Sequence, residues 1–255
     1  MKALVLTSTS LRHRFFVQQV ARCFDVAAVV CEQKRNYYVK QREESEIVRA
    51  HFAHNGAQEL ICFKDVPEGQ VARVETVSDI NAPEVIQWAS RLDIDVVCLF
   101  GTSILKTPWL SAFPDRIVNL HLGLSPWYRG SATLFWPFAD AAAEFLGTTI
   151  HLAVEKVDAG AILHRIRPKL QPGENYYQIS NQLIRDSIDA FPGVVVRYLE
   201  NNLSPQAQEK VAGRICRKAD FDDAALARAL SYVGDGFSPQ EIQRIEEAAK
   251  CLCLP

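Results

Sequence analysis

Continuous apolar runs, separated by segments of helical periodicity, constrain this chain more than any other feature. Residues 3–7, 25–31 and 95–100 are short and rich in apolar residues, above all valine, and a fourth strand is predicted at residues 117–121, which begin with the β-branched pair Ile117-Val118. Strands that are apolar at successive positions are typical of parallel sheets buried on both faces. Because helical segments lie between the runs, we predict an α/β fold with a doubly wound, mostly parallel sheet.

Further elements follow from the same periodicities. The four-residue apolar run 60–63 is predicted as a strand, and residues 131–143 as a helix. Residues 147–152 are predicted as a strand with residues 162–167 as its antiparallel partner. Residues 176–199 have the apolar stripe of an amphipathic helix, which a Phe-Pro-Gly triplet is expected to interrupt.

The character of the sequence changes after residue 200. Residues 1–200 are predicted to form one α/β domain, and residues 201–255 a short C-terminal extension, partly helical, that packs on it. Within the domain, the polar and aromatic segment 33–41 is longer than most connections of its kind, which is typical of functional loops. Residues 67–69 are predicted as a turn.

Composition narrows the class of protein. The 255 residues carry a net charge of −2, which offers no overall attraction for nucleic acid or for an anionic membrane. No apolar run approaches the roughly 18 residues needed to cross a bilayer. The seven cysteines are scattered, and Cys251-Leu-Cys253 does not have metal-ligand spacing. These observations predict a cytoplasmic, reduced protein without metal.

A doubly wound fold raises the question of a nucleotide cofactor. Dinucleotide binding needs a glycine-rich turn after the first strand, so that backbone amides can approach the pyrophosphate. Residues 7–12 contain no glycine, and the chain has no GxxxxGK[ST] motif. The fold class is therefore retained, whereas NAD and ATP are excluded as cofactors.

Three polar residues are candidates for catalysis. Asn119 and His121 are two positions apart at the end of a predicted strand, so their side chains point to the same face. Asp158 follows after a loop, a helix and a further strand. A lone histidine near a strand end is more often structural than catalytic, and the ordered combination with Asp158 is what favours a site.

Four short motifs surround these residues. They are Asn119-Leu-His121, Gly123-Leu-Ser-Pro-Trp-Tyr-Arg-Gly130, Gly147-Thr-Thr-Ile-His151 and Val157-Asp158-Ala-Gly160. Over about residues 95–170, this set resembles the folate-dependent formyltransferase family, which is known for an Asn-x-His pair and a downstream Asp-x-Gly. The family includes glycinamide ribonucleotide and methionyl-tRNA formyltransferases, formyltetrahydrofolate hydrolases and sugar-nucleotide N-formyltransferases. The resemblance implies a Rossmann-like formyltransferase fold, with the catalytic domain in residues 1–200.

The resemblance implies a role for each polar residue in formyl transfer from 10-formyltetrahydrofolate to an amine. Asn119 would donate to the oxygen that gains negative charge, an interaction worth on the order of 10²–10³ in rate. His121 would share that role or take the proton of the attacking amine, worth roughly 10²–10⁴. Asp158 would orient His121, raise its pKa and help to relay the proton.

The resemblance also implies where the folate lies. The expected cofactor-binding residues are Phe100, Gly101, Thr102, Ser103, Ile104, Leu105, Val154, Glu155 and Val157. One departure from the family concerns the loop after the histidine. Relatives often carry Ser-Leu-Leu-Pro there, whereas this chain has Gly123-Leu-Ser-Pro126, so a serine contact is missing or displaced. The aromatic run 135–138 is interpreted as core packing.

The acceptor is narrowed by elimination. A tRNA acceptor calls for a basic surface and a further binding domain, which a charge of −2 and a 55-residue extension do not favour. Glycinamide ribonucleotide enzymes use a glycine- and serine-rich phosphate loop after strand 1, and the hydrolases typically carry a regulatory domain. An amino-sugar remains, and a nucleotide-linked one is favoured. The expected substrate-binding residues are Arg12, His13, Tyr128, Arg129 and Gly130.

Alternatives remain open at this point. The chain could act on another small amine, hydrolyse formyltetrahydrofolate, or be a non-catalytic folate-binding relative. The favoured hypothesis is an N-formyltransferase of one-carbon metabolism that serves the biosynthesis of a surface polysaccharide. Short helices in residues 201–255 are stable only when packed against another surface, and a second copy of the chain in a homodimer could supply it.

Overall fold

The computed structural model describes residues 1–33, 45–64, 73–250 and 252. Its centre is a seven-stranded sheet in the order β3-β2-β1-β4-β5-β7-β8. The strands are β1 (Lys2–Thr7), β2 (Asp25–Glu32), β3 (Val74–Val77), β4 (Val96–Leu99), β5 (Ile117–His121), β6 (Tyr128–Gly130), β7 (Thr148–Leu152), β8 (Ile162–Ile166) and β9 (Arg214–Cys216). The pairings from β3 to β5 are parallel, and β7 and β8 are added antiparallel at the β5 edge. The predicted fold class is confirmed.

Helices cover both faces of the sheet. They are α1 (Leu11–Ala21), α2 (Glu46–Phe63), α3 (Pro83–Ala89), α4 (Thr107–Ala112), α5 (Trp136–Ala139), α6 (Tyr176–Leu199), α7 (Asp223–Val233) and α8 (Pro239–Lys250). None of the described helices is long and apolar enough to span a membrane.

The continuous apolar runs are explained by two separate cores. Successive side chains of a strand point to opposite faces, so every position of a central strand is buried. In β1, Ala3 and Val5 contribute to the core beneath α1 and α6, whereas Leu4 and Leu6 contribute to the core beneath α3 and α4. β4 alternates between the two cores in the same way.

The strand predicted at residues 60–63 is wrong, because these residues form the last turn of α2. The helix begins at Ser45, whose side chain accepts a hydrogen bond from the Val48 N–H, and it continues past Gly56 to Phe63. Phe63 is fully buried and its ring lies 5.4 Å from that of Phe15 on α1. A four-residue apolar run is compatible with either element, and here packing against α1 decides for the helix. The edge strand is instead β3, which was not predicted.

The helix predicted at residues 131–143 is also wrong in extent. Only Trp136–Ala139 is α-helical, and residues 143–145 form a separate 3₁₀ turn. Ala132 and Ala141 have positive φ angles of 54° and 52°, which a right-handed helix does not accept. The interpretation of the aromatic run as core packing is confirmed, since Trp136 and Phe138 are fully buried.

The long helix α6 is continuous, contrary to the predicted interruption. It begins with a capping box formed by Asn175 and Gln178, and Pro192 lies inside it. Proline removes one backbone hydrogen bond, yet Phe191 and Val195 on either side are buried in the core. Burial of this apolar face holds the helix through the proline.

Residues 201–255 return to the main domain. Strand β9 pairs in parallel with β6 in a two-stranded sheet, and α7 packs on α5. The buried residues of α7 and α8 belong to the same core as α1 and α6. The predicted loop at 33–41 lies outside the described residues except for residue 33, and the turn at 67–69 lies wholly outside them.

Candidate active site

The candidate site lies at the carboxyl ends of the central parallel strands, where ligands bind in open α/β sheets. Asn119 and His121 occupy the end of β5, which pairs with β4 on one side and with β7 on the other. In the antiparallel register, Asn119 lies opposite His151, and His121 lies opposite Thr149. Period-two alternation places Asn119 and His121 on one face of the strand, as predicted.

Asp158 reaches both histidines from the turn between β7 and β8. Its Oδ2 lies 3.4 Å from Nδ1 of His121, and its Oδ1 lies 3.6 Å from Nε2 of His151. The structure therefore brings Asp158 directly to His121 and links it to Asn119 through His151.

The backbone around Asp158 is arranged to present the carboxylate. Asp158 has a left-handed φ of 49°, and its Oδ2 accepts a hydrogen bond of 2.9 Å from the N–H of Gly130. Burial raises the pKa of Asp158, but the nearby His121 and His151 and this N–H together lower it to about 2. Asp158 is thus an ionised, nearly buried carboxylate. Gly130, predicted to bind substrate, holds Asp158 through its backbone.

His121 lies between two oxygen acceptors. Its Nε2 is 3.0 Å from the carbonyl oxygen of Tyr128, which can only accept, so Nε2 carries a proton. Burial lowers the pKa of His121, and this outweighs the opposite effect of Asp158. The expected effect of Asp158, an increase in the pKa of His121, is therefore present, but desolvation of the buried imidazolium is larger and the net shift is downward. When His121 takes a proton at Nδ1, both ring nitrogens face an acceptor.

His151 is a site residue that the sequence analysis did not assign. Its Nδ1 is 2.8 Å from the Leu152 carbonyl oxygen, so Nδ1 carries the proton and Nε2 accepts from the Asn119 side-chain amide at 3.1 Å. This contact fixes which way the amide of Asn119 points. The motif 147–151 contains this histidine, but only the antiparallel register of β5 with β7 places it opposite Asn119.

Gly123 makes room for the catalytic ring. A Cβ at this position would lie 2.5 Å from His121 Nε2 and 2.5 Å from Cβ of Thr133. Thr133 is buried and donates a hydrogen bond to the Leu122 carbonyl oxygen at 2.6 Å. The departure from the family pattern at Gly123 is therefore coupled to the position of His121.

The expected cofactor segment, residues 100–105, follows β4, and the side chains of Glu32 and Asn81 hold its backbone by hydrogen bonds. The carboxylate of Glu32 accepts from the N–H of Ser103 at 2.6 Å and from the N–H of Ile80 at 3.2 Å. The side chain of Asn81 donates to the Ile104 carbonyl oxygen and accepts from the N–H of Lys106. The N-cap position of α3 is Ala82, so Asn81 immediately precedes the cap of that helix.

The side chains of this segment divide into a buried and an exposed set. Phe100 and Leu105 belong to the two cores, Gly101 has a φ of 77°, and Thr102 donates to the Ser103 carbonyl oxygen. Ile104 is 64% exposed. The other expected cofactor residues, in 154–157, lie close to the end of the first segment, since the hydroxyl of Thr107 is 3.4 Å from the carboxylate of Glu155. There, Val154 is 44% exposed and Val157 is partly buried.

The expected substrate-binding residues occupy different environments. His13 is buried, its ring centroid lies 4.7 Å from that of Phe100, and its Nδ1 lies 2.9 Å from the Thr7 hydroxyl. The His13 ring occupies the space that a Cβ of Gly101 would take. Arg12 lies 3.9 Å from the carboxylate of Glu59 on α2.

Tyr128 and Arg129 also occupy different environments, since Tyr128 is buried and Arg129 is partly exposed. The hydroxyl of Tyr128 is directed into the protein and donates to Asp140 at 3.1 Å. Arg129 is partly exposed beside the site, and its Nε has no hydrogen-bond partner among the described residues. Arg129 thus lies near His121 in the loop of residues 123–130, which we call the motif loop, with its guanidinium partly exposed and its Nε buried.

Fold and site together define an α/β protein with an Asn-His-Asp constellation at the carboxyl edge of its sheet. A family model described as formyl transferase matches residues 1–195. The chain belongs to the formyl transferase family, as its motifs predicted.

Individual relatives differ in how much of the chain they share. The methionyl-tRNA formyltransferase of Synechococcus sp. (strain JA-3-3Ab) is 29% identical over 187 residues, which cover 68% of this chain and 58% of that protein. The chain therefore spans little more than half the length of this relative.

Solved structures share the fold over most of their length. A sugar N-formyltransferase from Shewanella sp FDAARGOS_354 has a TM-score of 0.60 at 16% identity, covering 90% of this chain and 88% of that one. The N-formyltransferase from Helicobacter canadensis, in complex with folinic acid and dTDP-3-aminofucose, has a TM-score of 0.59 at 14% identity, covering 91% and 81%.

Proposed function

We propose that this protein is an N-formyltransferase that moves a formyl group from 10-formyltetrahydrofolate to the amine of a nucleotide-linked amino-sugar. The observation that carries the proposal is the joint position of Asn119, His121 and Asp158 at the carboxyl edge of the sheet. An amide donor, a buried base and an ionised carboxylate are the groups that acyl transfer to an amine requires.

The residues around Gly101 fit a folate. Ile104 and Val154 present exposed apolar side chains on two adjacent segments, which suits the flat face of a pterin ring. Gly101 has a positive φ, and a Cβ there would lie 2.1 Å from the His13 ring, so glycine lets this segment keep its turn against His13. When bound, 10-formyltetrahydrofolate would supply the formyl group.

Asn119 supplies a directed hydrogen-bond donor. One of its amide hydrogens is held by His151, and this contact orients the second hydrogen of the same nitrogen. A donor that is oriented before the reaction stabilises developing negative charge on an oxygen without further reorganisation.

Asp158 and His121 form the pair that receives the proton of the acceptor amine. The side chain of Asp158 is 14% exposed and that of His121 is 6% exposed, so the carboxylate is the more accessible member. A proton that passes to Nδ1 of His121 produces an imidazolium held by Asp158 on one side and by the Tyr128 carbonyl on the other.

Two observations support an amino-sugar as the acceptor. The likeness to the Shewanella sugar N-formyltransferase covers 90% of this chain and 88% of that one, so it must include some of the 55 residues after residue 200. In addition, the partly exposed Arg129 lies beside His121, its buried Nε has no hydrogen-bond partner among the described residues, and a guanidinium can bind two phosphate oxygens at once.

The test is a comparison of acceptors. The purified protein is incubated with 10-formyltetrahydrofolate and amino-sugar nucleotides, glycinamide ribonucleotide or methionyl-tRNA, and each product is examined by mass spectrometry for one added formyl group. We expect transfer to an amino-sugar nucleotide and its loss in Asn119→Ala. Faster formylation of methionyl-tRNA or of glycinamide ribonucleotide would contradict the acceptor, and formate release at the same rate without any acceptor would indicate a hydrolase.

A further inference from the structure

A segment from the C-terminal part of the chain lies against the catalytic turn. We call residues 206–216 the return segment. At its start, Gln206 exchanges two backbone hydrogen bonds with Ile162 of β8, at 2.7 and 2.8 Å. At its end, the Arg214 N–H donates to the Trp127 carbonyl oxygen at 2.7 Å, and β9 pairs with β6. The return segment thus joins β8 to the motif loop.

Gln208 lies between these two anchors and contacts the turn that carries Asp158. Its Nε2 donates to the carbonyl oxygen of Asp158 at 2.8 Å and to that of Gly160 at 2.9 Å. The side chain therefore bridges the two ends of the turn. Ser125 adds a weaker bond of 3.3 Å from its hydroxyl to the same Asp158 carbonyl.

The turn needs such support because its backbone is unfavourable. Asp158 has a φ of 49°, in the left-handed region that residues other than glycine seldom adopt. Gly160 has no room for a side chain, since a Cβ would lie 1.7 Å from the Leu152 carbonyl oxygen. Conformations of this kind persist only where the surrounding structure holds them.

An ion pair between a buried arginine and a partly exposed glutamate fixes the return segment next to Gln208. Arg165 of β8 is 1% exposed, and its Nη2 lies 2.5 Å from Oε2 of Glu209. The same guanidinium donates through Nε to the Ser125 carbonyl oxygen at 3.1 Å and lies over the ring of Trp127. The backbone that carries Gln208 is thereby held to the motif loop.

We infer that Gln208 is a positioning residue for Asp158: by holding the turn, its amide places the carboxylate between the Gly130 N–H and His121. The inference rests on the proposed function only in that Asp158 serves formyl transfer. It assigns to residues 201–255 a part in building the active site, in addition to packing on the domain.

The groups that face His121 determine the expected change. They are the carboxylate of Asp158, the ring of His151, the guanidinium of Arg129 and the Tyr128 carbonyl oxygen. Of these charged groups, Asp158 alone favours the imidazolium. If the carboxylate moves away, the pKa of His121 falls, and the acidic limb of the pH profile of kcat moves to lower pH.

The experiment uses the full chain with Gln208→Ala and with Gln208→Met, which keeps the length of the side chain but cannot donate. Gln206→Ala is the matched control, because Gln206 is exposed and its contacts to β8 are made by the backbone. We expect both Gln208 variants to lose about 10- to 100-fold in kcat, the equivalent of two lost hydrogen bonds, with KM for the folate within a few-fold. Gln206→Ala should retain wild-type kcat.

A second readout does not depend on the acceptor. In histidine-labelled protein, NMR titration follows the imidazole of His121, identified by its loss in His121→Ala. We expect a lower His121 pKa in the Gln208 variants and an unchanged one in Gln206→Ala. A drop in melting temperature with unchanged kcat and unchanged titration would reduce Gln208 to a structural residue and overturn the inference. If no amine is formylated by the wild-type protein, the proposed function fails, and the titration still decides the role of Gln208.

Discussion

Replacing Gly123 by alanine adds one methyl group beside the catalytic imidazole. The new Cβ would lie 2.5 Å from Nε2 of His121 and 2.5 Å from Cβ of Thr133, where ordinary contacts begin at 3.4 Å. Thr133 is buried and tied to the Leu122 carbonyl oxygen, so it has little freedom to move. The imidazole must therefore shift by about 1 Å and give up its hydrogen bond to Tyr128.

The size of the effect follows from this displacement. A misplacement of about 1 Å in a catalytic group can cost on the order of 100-fold in rate. Forcing an extra methyl group into a packed interior costs about 1–3 kcal/mol in the free energy of unfolding. We expect Gly123→Ala, and equally Gly123→Ser, to lower kcat about 100-fold and to reduce the melting temperature, while KM for the folate stays within a few-fold.

The assay is steady-state formyl transfer, combined with thermal denaturation of the same preparations. Gly56→Ala is the matched control, since Gly56 lies within helix α2 and a Cβ there would meet nothing within 4 Å. This variant should keep wild-type kcat and gain about 0.5–1 kcal/mol in stability, because alanine favours the helix. Wild-type kcat in Gly123→Ala would refute the coupling between Gly123 and His121.

Three further predictions concern single residues. Asn119→Ala should lower kcat by about 10²–10³ without unfolding the protein, measured by formyl transfer and circular dichroism. Glu32→Gln should raise the dissociation constant of the folate about tenfold with little change in kcat, because the amide has only one oxygen acceptor for the N–H groups of Ser103 and Ile80, which the carboxylate holds together; unchanged binding by calorimetry would contradict this. Asp158 has a pKa lowered from 3.8 to about 2 on folding, so its ionised form contributes about 2 kcal/mol above pH 4 that is lost as the pH falls to 2. Asp158→Asn should lack this part of the acid dependence in chemical denaturation at each pH.

The central strands could be predicted because their information is local. Strands β1, β2 and β4 have runs that are apolar at successive positions, which is the pattern typical of strands buried on both faces. The predictions that were wrong concern segments whose local pattern is compatible with two kinds of secondary structure. The run at 60–63 is apolar but short, and only its contact with α1 makes it helical.

Some residues of the candidate site could likewise be placed from the sequence, and others could not. Asn119 and His121 lie on one face because side chains alternate along a strand, and this holds in any fold that keeps the strand. His13 could not be placed from sequence, because a histidine after strand 1 is equally compatible with solvent and with the buried position against Phe100 that it occupies.

Local patterns in the sequence were sufficient to predict the layered α/β architecture, the shared face of Asn119 and His121, and the family to which the chain belongs. Tertiary packing was needed to show that His151 orients Asn119 and that Gln208 contacts the turn of Asp158. The second contact joins residues 50 positions apart in the chain, and the first joins residues 32 apart. Contacts over such separations follow no helical or strand period, so only the packed fold reveals them.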